Sequence, residues 1–286
     1  MTELPTRGAR LGVVVSTYNW PEALAAVLRS FADQSDQDFT LVVADDGSAP
    51  TTRAVVEHGQ EILGERLLHV WQPDEGFRLA RVLNLGVSAI DADYVVILHG
   101  ESVPRRDFVR VVRSCMHPGW YVAGRRVQLS QRLTNEVLGN KLPMHRWGLV
   151  DWFRVRTEAG PLSSLTRRDR RKVGARGLPE FIPVNRTYGY LLGVWRSDFE
   201  RVNGYDMRFE GWGEEDVDIA LRLGRTGLRC GHAGPNGTLI HLWHETVIPV
   251  DGPNWYLLQE TEHSDRIEAV EGIRELANVP TRSGVP

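Results

Sequence analysis

Four near-continuous apolar runs in the first hundred residues constrain the fold more than any other feature: "LGVVVST" (11–17), "FTLVVADD" (39–46), "LLHVWQ" (67–72) and "YVVILHG" (94–100). Runs of this kind, rich in Val, Ile and Leu and not alternating with polar residues, belong to strands covered on both faces, as parallel strands are. Between the first two, Leu24, Val27, Leu28 and Phe31 recur at helical spacing behind Pro21, which suits a helix start. Between the last two, Leu79, Val82, Leu83, Val87 and Ile90 do the same. Strand, helix, strand repeated predicts a doubly wound α/β layer, a mostly parallel sheet flanked by helices. Ligands of such a layer gather at the carboxyl ends of its strands, and those ends carry "STYN", "ADDGS" and "HGES".

After residue 120 the pattern loosens. "WYVAGRRVQL" (120–129) predicts one more strand, and a basic, aromatic, poorly periodic segment runs to about 180. Order returns with "YGYLLGVWRSDFERVNGYD" (188–206), a helix beginning near Gly213 with Val217, Ala220 and Leu221 on one face, and a last apolar run, "GTLIHLWH" (237–244). No repeat, low-complexity tract or linker separates the halves, so residues 1–118 and 119–286 are expected to be two portions of one domain. With 286 residues and 42% hydrophobic content the chain can bury a sizeable core without staples. Its cysteines, Cys115 and Cys230, lack any paired spacing, which argues against a disulfide framework or thiolate zinc site and fits a reducing compartment.

The charge balance excludes a general attraction to nucleic acid, the net being -3. One basic run stands out, "LTRRDRRKV" (165–173), following the aromatic "HRWGLVDWFRVR" (145–156). It reads either as a solvated surface or as a patch resting on an anionic membrane, a peripheral contact through 145–176. The polar N-terminus and the lack of any apolar run near the ~18 residues of a span predict a cytoplasmic protein, at most peripheral at the inner face of the membrane.

No glycine pattern follows a strand as a dinucleotide fingerprint or P-loop requires. Thr17, Tyr18 and Asn19 end the first strand while Asp45 and Asp46 end the next, side by side if those strands are neighbours. A carboxylate there can accept an N–H from a base, although Asp45-Asp46-Gly47-Ser48 is by residue type also an ordinary turn. Taken in order, "VVVSTYNWPEALAAVLRSF", "FTLVVADDGS", "GFRLARVLN" and "YVVILHGESVPRRDF" resemble glycosyltransferase family two, with its Rossmann-like GT-A fold, over roughly the first 110 residues. The resemblance implies an inverting transferase that uses a nucleotide-activated sugar. It maps nucleobase contact onto Thr17, Tyr18 and Asp46, with Asn19 beside them, and assigns Arg78 to the donor. Arg78 also opens a helix, where a guanidinium and the positive helix end can face a diphosphate together.

The family usually carries Asp-X-Asp at the fourth strand end, holding a divalent cation on the sugar diphosphate; this chain has His99-Gly100-Glu101. Glu101 keeps an oxygen ligand, whereas His99 offers a neutral nitrogen, which moves preference from magnesium toward manganese or later metals. Without the motifs around them, a His and a Glu at a strand end are simply polar surface residues. In enzymes of this fold a late histidine often completes the metal shell. The resemblance assigns that role to His244, at the polar exit of "GTLIHLWHE". His241, three residues earlier, would point to the opposite face of a strand unless the chain turns, so only one of the two need be a ligand and His241 reads as a core or supporting residue.

The segment "VNGYDMRFEGWGEEDVDIALRL" (202–223) resembles the C-terminal region of β-galactosyltransferases and related bacterial polymer synthases. That resemblance implies acceptor binding by Trp212, Gly213 and Glu215, and an acidic pair Glu215-Asp216 with Asp216 as catalytic base. Carboxylates in a first helical turn are favourable to the helix dipole whatever their chemistry, which accounts for the acids but not for Gly211-Trp212-Gly213. The combined expectation is inverting transfer of a hexose (galactose, N-acetylgalactosamine or glucose) from a UDP-sugar to a glycan or lipid-linked glycan in cell-surface polysaccharide synthesis. Glu101, His244 and His99 would hold Mn2+, or Mg2+ in its place. Two rivals stand beside it: a nucleotide-sugar-binding protein that lost turnover along with its Asp-X-Asp, against which the intact "GWGEED" speaks, and a nucleotidyltransferase, which usually wants a glycine-rich basic loop where "STYNWPE" has none.

Overall fold

The computed structural model describes residues 8–155, 191–234, 237–245 and 252–278. The four apolar runs become β1 (Leu11–Thr17), β2 (Thr40–Asp45), β3 (Leu67–Trp71) and β4 (Tyr94–Leu98). Between them lie α1 (Pro21–Ala32), α2 (Pro50–Leu63) and α3 (Leu79–Ser88), then β5 (Ser102–Val103) and α4 (Phe108–Ser114). α2 carries too few apolar residues for its periodicity to show; Pro50 at its first turn is the only local signal. "WYVAGRRVQL" is not one strand. It breaks at Gly124-Arg125 into β6 (Trp120–Ala123) and β7 (Arg126–Gln128), which join different sheets.

Next come α5 (Gln131–Gly139), α6 (Leu149–Arg154), β8 (Leu191–Trp195), α7 (Arg196–Arg201), α8 (Glu215–Arg225), β9 (Arg229–His232), β10 (Leu239–His241) and α9 (Pro253–Glu262). The large sheet has seven strands in the order β3-β2-β1-β4-β8-β6-β9, mostly parallel, with β8 antiparallel to both neighbours. A single sheet therefore crosses residue 118 and joins both portions of the chain. The basic run 165–173 lies outside the described residues.

Alternation along β1 divides the core. Leu11, Val13 and Val15 pack with Leu24, Val27 and Phe31 of α1 and Phe108 of α4, while Val14 faces Leu79, Val82 and Leu83 of α3 together with Ile219 and Leu223 of α8. Side chains buried this completely are worth roughly 1.5–3 kcal/mol each, so both helical layers are held firmly to the sheet. The buried face of α8 differs from the one its apolar residues suggest: Glu215, Asp218, Ile219, Ala220, Arg222 and Leu223 point inward, and Val217 and Leu221 are only partly covered. A buried ion pair explains the difference. Asp218 and Arg222 are both fully enclosed, with Arg222 Nε donating to Asp218 at 2.8 Å.

A second sheet of three strands, β5-β10-β7, is small but decides the site. It aligns His241 with Ser102, so the late apolar run lies beside the chain leaving β4.

Candidate active site

The carboxyl ends of β1 and β2 form one edge of a cleft. Thr17 is in register with Asp45, and the Asp46 amide donates to the Thr17 carbonyl at 3.0 Å. Asp45 turns inward, accepting from the Ser48 amide at 2.8 Å and lying 3.3 Å from His69 Nε2, so it holds the turn. Asp46 is buried and accepts from the Arg78 amide at 2.8 Å and from Gln72 Nε2. Burial raises the Asp46 carboxyl pKa even against those two bonds. Asn19 is a brace: its amide donates to Ser48 Oγ at 2.9 Å, and its side-chain oxygen accepts from the Ala49 amide at 2.8 Å, satisfying a donor at the start of α2. Tyr18 is 47% exposed, its hydroxyl on Asp74 at 3.0 Å. The Arg78 guanidinium does not extend freely from the start of α3. It donates to Glu75 and to the Pro73 carbonyl, each at 2.6 Å, and leaves a buried Nε with no partner among the described residues.

His99-Gly100-Glu101 forms the floor. Gly100 is the residue that fits, because a Cβ there would come within 2.2 Å of the Ser16 carbonyl oxygen; β1 and β4 approach that closely at their ends. Glu101 Oε1 lies 3.2 Å from His241 Nε2 and 3.7 Å from His99 Nδ1. Of the two arrangements open to His241 and His244, the structure takes the one in which the chain turns. β10 ends at His241, and the following backbone is tied down by Leu242 donating to the Glu101 carbonyl at 3.0 Å and Trp243 donating to Thr134 Oγ1 at 2.9 Å. The chain turns, the two imidazole rings stand 5.3 Å apart, and both converge on Glu101 with ligand atoms within 4.8 Å of one another.

His99 faces a different cluster from the one expected of it. It converges with Glu215 and Asp216, again with one atom from each within 4.8 Å of the others. The acid pair reaches this point because α8 begins at Glu215, after a loop in which Gly211, Gly213 and Glu214 all adopt positive φ (+80°, +90° and +74°). Glycine takes such angles without penalty and Glu214 does not. The loop is pinned from outside by the Gly211 amide on the Phe77 carbonyl and by Asn254 of α9 on the Gly213 carbonyl, each at 2.8 Å. Trp212 is left 44% exposed at the cleft's rim, whereas Glu215 is buried.

Electrostatics separate the roles. Burial would lower the His99 pKa, but contact with Glu101 and the fields of Asp216 and Glu215 carry it up to about 9. Burial also works against ionised Glu101, yet His241 and His99 hold its pKa well below the usual carboxylate range. Burial raises both members of the acid pair, Glu215 to about 8 with Asp216 adding to the effect, and Asp216 only to about 6 because His99 and the Tyr205 hydroxyl favour its charged form. Both acids are therefore harder to ionise than free carboxylates, and the charged His99 ring works against that at each of them.

These residues fit a divalent cation by two observations. One carboxylate oxygen and two imidazole nitrogens within 4.8 Å make a mixed N/O donor set suited to manganese or later metals more than to magnesium. Beside them, His99 Nε2 and Glu215 Oε2 are buried without hydrogen-bond partners among the described residues, which such a site leaves for a ligand to satisfy. The reading of the sequence missed Gln72 and gave His241 no place among the metal ligands.

Comparisons with known proteins give the family and the fold. The model described as "Glycosyl transferase family 2" matches residues 12–168, and "N-terminal domain of galactosyltransferase" matches 155–245. Validoxylamine A glucosyltransferase of Streptomyces hygroscopicus subsp. jinggangensis (strain 5008) is 31% identical over 233 residues, 76% of this chain and 52% of the relative. Chondroitin synthase of Escherichia coli is 25% identical over 231 residues, 76% of this chain and 32% of that protein. The chain thus spans about half the length of the first of these relatives and a third of the second. Among solved structures, GalNAc-T7 with UDP, GalNAc and Mn2+ superposes with a TM-score of 0.61 at 14% identity, covering 84% of this chain and 45% of that one. The mannosyltransferase PcManGT of Pyrobaculum calidifontis, in complex with GDP-Man and Mn2+, gives 0.55 at 20% identity, covering 83% and 58%. The fold is the GT-A fold, and the chain belongs to glycosyl transferase family 2.

Proposed function

We propose that this member of glycosyl transferase family 2 moves a hexose from a UDP-sugar to a hydroxyl of a glycan or glycolipid acceptor with inversion at the anomeric carbon. The observation that carries the reading is the convergence of Asp216, from the last third of the sequence, with His99 at the end of β4 within 4.8 Å. Asp216 takes the proton of the acceptor hydroxyl, and that oxygen attacks the anomeric carbon from the side opposite the diphosphate. The bond from that carbon to the β-phosphate oxygen breaks, and UDP leaves with the electron pair. A pKa near 6 suits a base working near neutral pH. Glu215, whose charged form burial disfavours, lies beside it in reach of the bound sugar, and Trp212 offers its ring face to the acceptor.

Glu101, His241 and His244, with His99 adjoining, would hold a divalent cation, Mn2+ in preference to Mg2+, which when bound neutralises charge on the diphosphate oxygens. Thr17, Tyr18, Asn19, Asp46, Arg78 and Gly100 line the side given to the nucleotide. UDP is the nucleotide in the GalNAc-T7 and TarS structures and GDP-Man the donor in PcManGT, so the reading as UDP follows the first two. Glucose as the sugar is supported by the name of the Streptomyces relative, galactose by the description of the second matching model, N-acetylgalactosamine by the sugar in the GalNAc-T7 structure, and a polysaccharide product by the name chondroitin synthase.

The test is UDP release from a panel of UDP-sugars with and without Mn2+, for the wild-type protein and Asp216→Asn. Turnover falling ~10²–10⁴-fold in the variant with UDP affinity kept supports the assignment. Tight UDP binding without any turnover in the wild type indicates a nucleotide-sugar-binding protein instead.

A peripheral membrane contact is part of the same proposal. No helix among the described residues is long and apolar enough to cross a bilayer, but α6 exposes Leu149, Val150 and Phe153 just ahead of the basic run in the sequence. Flotation with anionic liposomes should carry the protein upward, and sedimentation away from them refutes the contact.

A further inference from the structure

We infer that Gln72 is a positioning residue for recognition of the nucleobase: anchored by Arg81, its amide fixes the Asp46 carboxylate as an acceptor for the ring N–H of uracil, so that a cytosine nucleotide is refused. The inference rests on the reading of UDP as the leaving nucleotide and of Asp46 as its base contact. Gln72 follows directly after β3 and is 1% exposed, with its backbone amide donating to the Asp45 carbonyl at 3.1 Å. A strand end by itself has no need of an amide side chain at so enclosed a place, and burying one is costly unless both of its ends are bonded. Here both are. The side-chain oxygen accepts from Arg81 Nη1 of α3, and the NH2 group donates to Asp46 Oδ1 and, at 3.4 Å, to the Arg78 carbonyl.

The two charged neighbours decide which way round the amide sits. Arg81 has donors only, so it takes the oxygen and leaves the NH2 group facing Asp46. Asp46 is thereby gripped at both oxygens, by Gln72 at Oδ1 and by the Arg78 amide at Oδ2, 2.8 Å away. A carboxylate offers about four acceptor sites, so a charged Asp46 has room for a further donor and for nothing else. Burial raises the Asp46 pKa, and the Arg78 and Gln72 bonds work in the other direction, toward the charged form. UDP and CDP share their ribose and diphosphate and differ in the base: N3 of uracil carries a hydrogen, whereas N3 of cytosine presents a lone pair. A carboxylate held so that it can neither take up a proton nor turn to the cytosine amino group accepts the first base and repels the second.

The test is calorimetry of UDP and CDP at one fixed Mn2+ concentration on wild type, Gln72→Glu, Gln72→Met, Asp46→Asn and the double variant Asp46→Asn/Gln72→Met. Wild type should prefer UDP by roughly 10- to 100-fold, the worth of a hydrogen bond to a charged acceptor. Gln72→Glu sets a second carboxylate against Asp46, so the pair retains a proton that can meet the cytosine lone pair. Gln72→Met keeps the bulk and frees the carboxylate to turn. Each should cut the ratio of UDP to CDP affinity by at least ~5-fold, whereas a merely structural role would weaken both nucleotides together. In the Asp46→Asn background Gln72→Met should leave the ratio within about twofold, because nothing remains to be positioned. Melting curves show which variants are folded, and either Gln72 variant alone is sufficient. A preference lost in Asp46→Asn but kept in the folded Gln72 variants overturns the inference and leaves the base contact standing. A wild type with no preference for UDP, or an Asp46→Asn variant that keeps the preference, removes Asp46 as the base contact and the inference with it.

Discussion

Removing Asp218 should be among the most destabilising single changes available in this protein, although the residue touches no substrate in the mechanism above. Asp218 and Arg222 lie one turn apart on α8, both without exposed surface. Arg222 donates through Nε to Asp218 at 2.8 Å and through Nη1 to the carbonyls of Val202 and Gly204 at 2.7 and 2.9 Å, while Asp218 also accepts from Thr261 of α9 at 2.7 Å. Asp218→Ala leaves a guanidinium enclosed with no counter-charge, a loss of about 3–5 kcal/mol, and takes the acceptor from Thr261, roughly another 1 kcal/mol. A domain of this size loses ~2–4 °C in Tm per kcal/mol, so the melting point should fall by about 10–20 °C. Circular dichroism melts of wild type, Asp218→Ala and the double variant Asp218→Leu/Arg222→Met decide the matter. An apolar pair of similar volume leaves no charge stranded, so the double variant should recover most of the loss. A single variant weakened by less than about 1 kcal/mol, or a double variant no better than the single, would refute the account of a stranded charge.

Three further outcomes are expected. Glu101→Gln should weaken Mn2+ binding in calorimetry by at least ~10-fold, since it removes the anionic ligand between two imidazoles, and unchanged affinity would move the metal elsewhere. Mn2+ affinity should rise with pH between about 6 and 9: below its raised pKa of about 9 the charged His99 ring, 3.7 Å from Glu101, repels a cation, and the repulsion fades as the proton leaves. A flat or falling pH dependence contradicts the His99 assignment. Gly100→Ala should cost ~1–3 kcal/mol in urea unfolding and weaken Mn2+ binding as well, because the new Cβ meets the Ser16 carbonyl and must push the ends of β1 and β4 apart; wild-type stability would show that the strands are not so close.

Local pattern carried most of the first portion of the fold. β1 to β4, α1 and α3 follow from apolar runs and helical spacing, because each buries its residues against whatever the next element supplies. α2 escaped notice because its inward face is thin, with Thr52, Val56, Gly59 and Leu63 as its only buried residues. The candidate site divides in the same way. The strand-end residues and the acid pair were legible as motifs, since a motif is short and its members are covalently near one another. What the sequence by itself determined is therefore the layered α/β plan and the chemical kinds of group at its strand ends. Only the tertiary structure decided which groups meet: β10 in register with β5 brings His241 and His244 both onto Glu101, and His99 turns to the acids of α8. Those meetings join residues up to about 140 positions apart. Strand register and helix packing set them, and no spacing along a chain encodes either one.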